Sequence, residues 1–182
     1  MIKISPYEIL RKLVKLTRSI SFYAIYFRKL HQVLARLDVE DVQKFKFMDW
    51  HNGYSYFVAY KNGQKVFIKI DLFLHFLGND YLLYCIFHNK INMLPIGEFW
   101  DEEEYQVLVS PFVDGDNLTE KNIIEEPKIL QDIHNILTEL NNHGVIHRDV
   151  RLENFMILND RLFIIDFTFS CSLSDSDERY NF

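Results

Sequence analysis

Gly144-Val145-Ile146-His147-Arg148-Asp149-Val150-Arg151-Leu152-Glu153-Asn154, followed by the apolar run Leu162-Phe163-Ile164-Ile165 and then Asp166-Phe167, is the stretch that decides how this chain reads. It sets an aspartate, a basic residue two positions on and an asparagine five positions on within one loop. Phosphoryl transfer needs that trio. A carboxylate accepts the proton of the acceptor hydroxyl, a cation sits near the transferring phosphate, and an amide oxygen binds Mg²⁺. The apolar run reads as a short buried strand that delivers a second carboxylate, Asp166, at its end.

His-Arg-Asp-x-x-x-x-Asn with Asp-Phe downstream resembles the catalytic loop and the metal-binding Asp-Phe-Gly of the protein-kinase-like superfamily. The resemblance implies an α+β, two-lobed fold using ATP and Mg²⁺. It makes Asp149 the residue that orients and deprotonates the acceptor, and Arg151 the cation facing the γ-phosphoryl. Asn154 and Asp166 become the metal ligands, with His147 and Arg148 as scaffolding. Lys69, in Val66-Phe67-Ile68-Lys69, matches the strand lysine that contacts the α and β phosphates.

Upstream, the small-lobe pattern follows in the expected order. Phe45 to Trp50 alternates like a strand, and His51-Asn52-Gly53 is a turn signal. Tyr54–Tyr60 and Lys65–Ile70 flank the tight-turn sequence Lys61-Asn62-Gly63, giving a three-stranded meander. Residues 72–90 suit a helix with a possible break near Gly78-Asn79. Met93–Phe99 and Tyr105–Val109 read as two further strands. The expected divisions are a helical segment 1–37, an N-lobe 38–110, and a hinge with a minimal C-lobe over 111–182.

Two parts depart from the family pattern. The nucleotide-covering loop has one glycine, Gly53, so backbone N–H groups of residues 52–55, Ser55 included, are left to approach the phosphates. The helix after Lys69 has no glutamate. Asp80 is the substitute partner for the lysine, or alternatively a helix-capping residue. Ser110-Pro111-Phe112-Val113-Asp114-Gly115 looks like the adenine-reading hinge; Pro111 keeps a carbonyl and Val113 supplies an N–H. Thr168 replaces the glycine of Asp-Phe-Gly and restricts the backbone there.

Beyond the hinge, Pro127–Asn142 carries apolar residues at helical spacing, closed by His143-Gly144. Phe155–Leu158 and Leu162–Ile165 read as strands, and the polar tail 172–179 as poorly ordered. The chain stops sixteen residues after Asp166 with no Ala-Pro-Glu. That compact layout, with Gly78-Asn79-Asp80-Tyr81 and Phe112-Val113-Asp114-Gly115, resembles the lipopolysaccharide core heptose kinase family of bacterial envelope-sugar kinases.

Charge supplies the remaining clue. Residues 1–37 hold eight Lys/Arg against Glu8 alone, a net +7, so the remainder stands at −13 for the whole chain to reach −6. Ser5 and Pro6 open a helix over 6–36 whose apolar positions (Ile9, Leu10, Leu13, Leu16, Ile20) recur at three- and four-residue steps among cations. Such a helix either packs on its own domain or lies on an anionic membrane surface. With two cysteines and neither a signal peptide nor a spanning segment, a cytoplasmic enzyme is expected, peripheral at most to the inner face of the membrane. The expected partners are ATP and a hydroxyl acceptor, with no nucleic acid. A sugar or glycolipid acceptor is the main reading. A small protein Ser/Thr kinase is the alternative, and a pseudokinase or binding module the third.

Overall fold

A computed structural model describes residues 5–172. The expected poorly ordered tail lies outside the described residues, apart from Ser172. The chain divides into two units. The first runs up to His75 and resumes over Gly97–Phe112; the second comprises Phe76–Ile96 and the chain from Val113 onward.

The first unit is a helix on a five-stranded antiparallel sheet. Helix α1 (Pro6–Arg36) starts where expected, because Ser5 Oγ accepts from Glu8 N–H while Glu8 reaches back to Ser5 N–H, a reciprocal cap. Strands β1 (Glu40–Phe45), β2 (Tyr54–Lys61), β3 (Gln64–Asp71), β4 (Glu98–Glu102) and β5 (Tyr105–Pro111) are ordered β1-β2-β3-β5-β4. Asn62 and Gly63 both take positive φ, as the two-residue turn between β2 and β3 demands.

The second half of α1 supplies Phe22, Leu30, Val33 and Leu34, and its C-cap Leu37 joins them, in one core with Phe57, Ile68, Ile70 and Val107 of the sheet. At about 1.5–3 kcal/mol per fully buried side chain of this size, this half is fixed to the unit by packing. The first half is different. Leu10, Leu13, Val14 and Ile20 stay exposed.

Three expectations give way here. Residues 45–50 are not a strand: β1 ends at Phe45, and a 3₁₀ helix follows over Phe47–Asn52. Phe47 and Trp50, three apart, thereby reach the same ring, Tyr23 of α1, and Trp50 is fully buried. A flat strand would have placed those two residues on opposite faces. The strand placed at 93–99 begins only at Glu98. The helix placed over 72–90 begins at Leu77, because Asp71 Oδ1 takes the N–H groups of Phe73 and Leu74 into a turn.

The second unit contains α2 (Leu77–Phe87), β6 (Asp116–Asn117), α3 (Glu120–Glu125) and α4 (Lys128–Asn142), then β7 (Val145–Ile146), β8 (Phe155–Leu158), β9 (Arg161–Ile164) and β10 (Cys171–Ser172). Helix α2, expected within the N-lobe, thus groups with the second unit, and α1 with the first. Strands β6-β8-β9 form one small sheet, and β7 pairs with β10. Met93 bridges in parallel to Ile164. Leu118, Ile129, Leu140, Phe155, Leu162, Ile164 and Phe167 form the core, which fixes both ends of the β8–β9 hairpin and hence everything attached to it.

Candidate active site

Residues 147–154 connect β7 to β8 as a loop closed by a single 3₁₀ turn at Leu152–Asn154. The loop is held from below by a histidine. His147 is buried, and its Nε2 lies 3.1 Å from the carbonyl of Ile165. Asp149 N–H points at its Nδ1, 3.4 Å away. One ring nitrogen accepts and the other therefore carries the proton, which describes a neutral imidazole. Burial pushes its protonation below the ordinary range, outweighing the carbonyl and the carboxylates Asp166, Asp149 and Asp80. His147 is scaffolding, tying the loop to the end of β9.

Asp149 is held through one oxygen. Its Oδ2 accepts from Arg151 at 2.6 Å and from Asn154 Nδ2 at 2.9 Å. Those two donations fix the carboxylate through Oδ2 and leave Oδ1 as a further acceptor. Arg151 is more than half exposed on its outer side, and hydrogen bonding to Asp149 keeps its charge secure. Asn154 is buried, and both protons of its amide are committed, to the Asp149 carbonyl and to Asp149 Oδ2, each at 2.9 Å. That commitment orients the side chain with its oxygen as the remaining acceptor. Ile165 N–H donates to the Asn154 carbonyl, so the residue before Asp166 is bonded to Asn154 itself.

Asp166 and Arg148 both have left-handed backbone, φ 63° and φ 65°. Non-glycine residues in that region cost on the order of 1 kcal/mol or more and gather at functional sites. Among the described residues no cluster of three His, Cys, Asp or Glu side chains is present. An amide oxygen plus one carboxylate is instead a donor set that suits Mg²⁺, which keeps waters and completes its shell with substrate phosphates.

Sequence reasoning missed what surrounds Asp166. Asp80, in the first turn of α2, is buried and accepts from Phe167 N–H and from Thr168 Oγ1. Its neighbour Asn79 donates to the carbonyls of Thr168 and Ser170. Asp80, read from the sequence as lysine partner or helix cap, also secures the Asp166 segment through Phe167 N–H and Thr168 Oγ1. Thr168 keeps a negative φ, within the narrower range that a side chain allows.

The remaining candidates sit in the first unit, except Val113, which opens the second stretch of the other. Lys69 is buried on β3 with its ammonium 4.9 Å from the Tyr54 ring centroid, close enough for a cation–π attraction. Gly53 has φ +91°, and an added Cβ would come within 3.1 Å of the Phe73 ring, so a larger residue there would be strained. Ser55, expected to offer its backbone N–H, lies within β2 opposite Ile70. It is fully buried in β2 with no partner for its hydroxyl, so the side chain is enclosed and not offered to a phosphate. Pro111 makes the last rung of β5 opposite Val66, and Phe112 N–H donates to Lys65 O at 2.9 Å. The connector's first N–H therefore belongs to the sheet.

The solved structure of the Cydia pomonella granulovirus kinase PK-1 superposes on this chain with a TM-score of 0.60 at 21% identity, covering 82% of this chain and 60% of that one. The fold is kinase-like. Two curated kinases also match in sequence. A probable serine/threonine-protein kinase KIN1 homolog from Enterocytozoon bieneusi is 28% identical over 104 residues, 53% of this chain and 17% of that protein. The serine/threonine-protein kinase ste20 of Emericella nidulans is 32% identical over 81 residues, 41% of this chain and 10% of that protein. The chain thus matches less than a fifth of either relative's length. No protein-family model matches it. The kinase resemblance read from the loop motif agrees with all three relatives, and none of them is an envelope-sugar kinase.

Proposed function

We propose that this chain is an ATP-dependent kinase that transfers the γ-phosphoryl group to a hydroxyl, with a serine or threonine side chain of a protein as acceptor. The observation that carries the reading is the bonding of Asn154. One amide spends both protons on Asp149, which leaves its side-chain oxygen as an acceptor, while the backbone carbonyl of the same residue takes the N–H of Ile165, the residue before Asp166. In this reading the side chain that fixes the general base also offers an oxygen to the metal. The protein acceptor is supported by the two curated relatives, both named as serine/threonine-protein kinases.

In this mechanism Asp149 Oδ1 accepts the hydroxyl's hydrogen bond and later its proton, aligning the oxygen for in-line attack. Arg151, already paired with Asp149, has its outer side exposed for charge growing on the transferred group. Asn154 and Asp166 would hold Mg²⁺, which when bound neutralises phosphate oxygens. Lys69 takes the α and β phosphates. Pro111 and Val113 lie in the segment assigned to the adenine, and Gly53 in the loop that covers the nucleotide. The cysteines Cys85 and Cys171 are free thiols, in keeping with action in the reducing cytoplasm, which belongs to the same proposal.

A glycolipid or sugar acceptor is the second reading, favoured by one feature. The exposed half of α1 sets Leu10, Leu13, Val14 and Ile20 beside the exposed cations Arg11, Lys12 and Arg18. That combination can hold a protein against an anionic leaflet. Incubation of the purified chain with labelled ATP and Mg²⁺, in parallel with a mixed protein substrate and with purified envelope glycolipid, separates the two. Label on serine or threonine is expected. Label only on glycolipid would reverse the order, and ATP binding without transfer to either would leave a binding module.

A further inference from the structure

The threonine that stands where the family has glycine does more than tolerate its position. Thr168 is almost completely buried, and its Oγ1 lies 2.6 Å from Asp166 Oδ1 and 3.0 Å from Asp80 Oδ2. A hydroxyl has one proton to give. It can bond either carboxylate and stands between them, with the shorter contact to Asp166. The other oxygen of Asp80 takes Phe167 N–H, and Asn79 takes the carbonyls of Thr168 and Ser170. Ser170 Oγ closes the set on the carbonyl of His147 at 3.3 Å.

We infer that Thr168 is a positioning residue for Asp166, its hydroxyl latching the metal-ligand segment to the first turn of α2 through Asp80. Three physical consequences belong together. Hydrogen bonding to Oδ1 selects one rotamer of a carboxylate whose own backbone is strained. The branched side chain removes backbone states that glycine would allow. The second acceptor, Asp80, gives the proton somewhere to go when a cation claims the lone pairs of Asp166, so the latch yields to the metal without leaving a buried donor unmade. The segment is thus held ready before nucleotide arrives, by bonds to a helix in its own unit.

The inference rests on the phosphotransfer reading, and its test tells the two apart. Wild type, Thr168→Val and Thr168→Ser are titrated calorimetrically with ATP in Mg²⁺ and in EDTA. Amide hydrogen exchange is followed over residues 166–170 without nucleotide. Valine keeps the shape and loses the hydroxyl; serine restores it. The expected result is a roughly tenfold loss of the Mg²⁺-dependent gain in affinity for Thr168→Val, unchanged affinity in EDTA, and faster exchange at Phe167 and Ser170. Thr168→Ser should stay within about twofold of wild type on both counts. If Thr168→Val does not fold, Thr168→Ala makes the same comparison. Equal Mg²⁺ dependence and equal exchange in the hydroxyl-free variant overturn the latch while the kinase reading stands. A wild type that gains no affinity from Mg²⁺ overturns the kinase reading, and the latch as a device for positioning a metal ligand falls with it.

Discussion

Replacing Asn154 by aspartate changes one amide nitrogen to an oxygen, yet the structure makes it one of the most damaging substitutions available. The Asn154 Nδ2 donates to two oxygens of Asp149, each at 2.9 Å, from a side chain that is 5% exposed. An ionised aspartate there has no proton to donate. Both bonds become oxygen–oxygen repulsions. Two unit charges at that separation repel by about 6 kcal/mol at an effective dielectric near 20. Relaxation reduces this, and the lost hydrogen bonds add roughly 1–3 kcal/mol, so a net loss of about 3–5 kcal/mol is expected at pH 8. That is a large share of the roughly 5–15 kcal/mol that holds a domain together.

The sign of the pH dependence follows. The introduced carboxyl binds its proton more tightly in the folded chain than in the unfolded one, since only the protonated form can donate to Asp149. The penalty is therefore full above its folded value and fades as the pH falls toward its unfolded value. Thermal melts of Asn154→Asp and wild type at pH 8 and pH 5 should show a wide gap that narrows on acidification. Asn154→Ala, which adds no charge, should show a pH-independent gap of about 2 kcal/mol from the two missing bonds. A wild-type melt for Asn154→Asp at pH 8 would refute the assignment of the amide as donor.

Asp149→Ala and Asp166→Ala are each expected to abolish phosphoryl transfer, while only the second strongly weakens Mg-ATP binding; calorimetry on both variants checks the separation, and full activity in the first would remove Asp149 from the chemistry. His147 is held neutral by burial, with an unfolded value of about 6.5, so its contribution is complete above that pH and is lost as the pH falls through the lower folded value. Melts from pH 7.5 to 5 should show a steeper acid loss in wild type than in His147→Gln, and parallel curves would show that His147 does not titrate on unfolding. Replacing Arg11, Lys12 and Arg18 by Gln should reduce binding to anionic vesicles at low salt with ATP affinity unchanged, at on the order of 1 kcal/mol per cation. Lys15 and Lys29 are poorer choices, being paired with Asp49 and Glu104. No vesicle binding by wild type would make the exposed face of α1 irrelevant to lipid.

What could be read from the sequence was local. Asn62-Gly63 dictates its own turn, which the structure keeps, and the spacing from His147 to Asn154 puts Asp149, Arg151 and Asn154 in one loop, where they bond one another. Ser5 and Glu8 cap a helix wherever its other end packs. The strand expected at 45–50 failed because Phe45, Phe47 and Trp50 satisfy two patterns: alternation along a strand, and the three-residue step that brings Phe47 and Trp50 onto Tyr23. Tertiary packing chose the second. Helix α3 was missed although Thr119 and Asn122 form a reciprocal cap, a signal present in the chain and overlooked. The two-residue strands β7 and β10 are too short for any periodicity. The grip of Asp80 on Thr168 joins positions 88 apart. No spacing rule reaches so far, and only the glycine missing from Asp-Phe-Thr hinted that something replaced it.

Trp50, sealed beneath α1 among aromatic rings, and Trp100 on β4 are the only two tryptophans of the chain. Both belong to the sheet-bearing unit, and the unit that carries the catalytic loop has none. Intrinsic emission excited at the red edge is therefore a private reporter of one half of the molecule. Far-ultraviolet dichroism, by contrast, samples the helices of both. Denaturant curves recorded by the two signals should coincide if the halves come apart as one cooperative system and separate if each melts alone. A kinase-like chain thus comes with its own built-in optical test of whether its halves share a single folding transition.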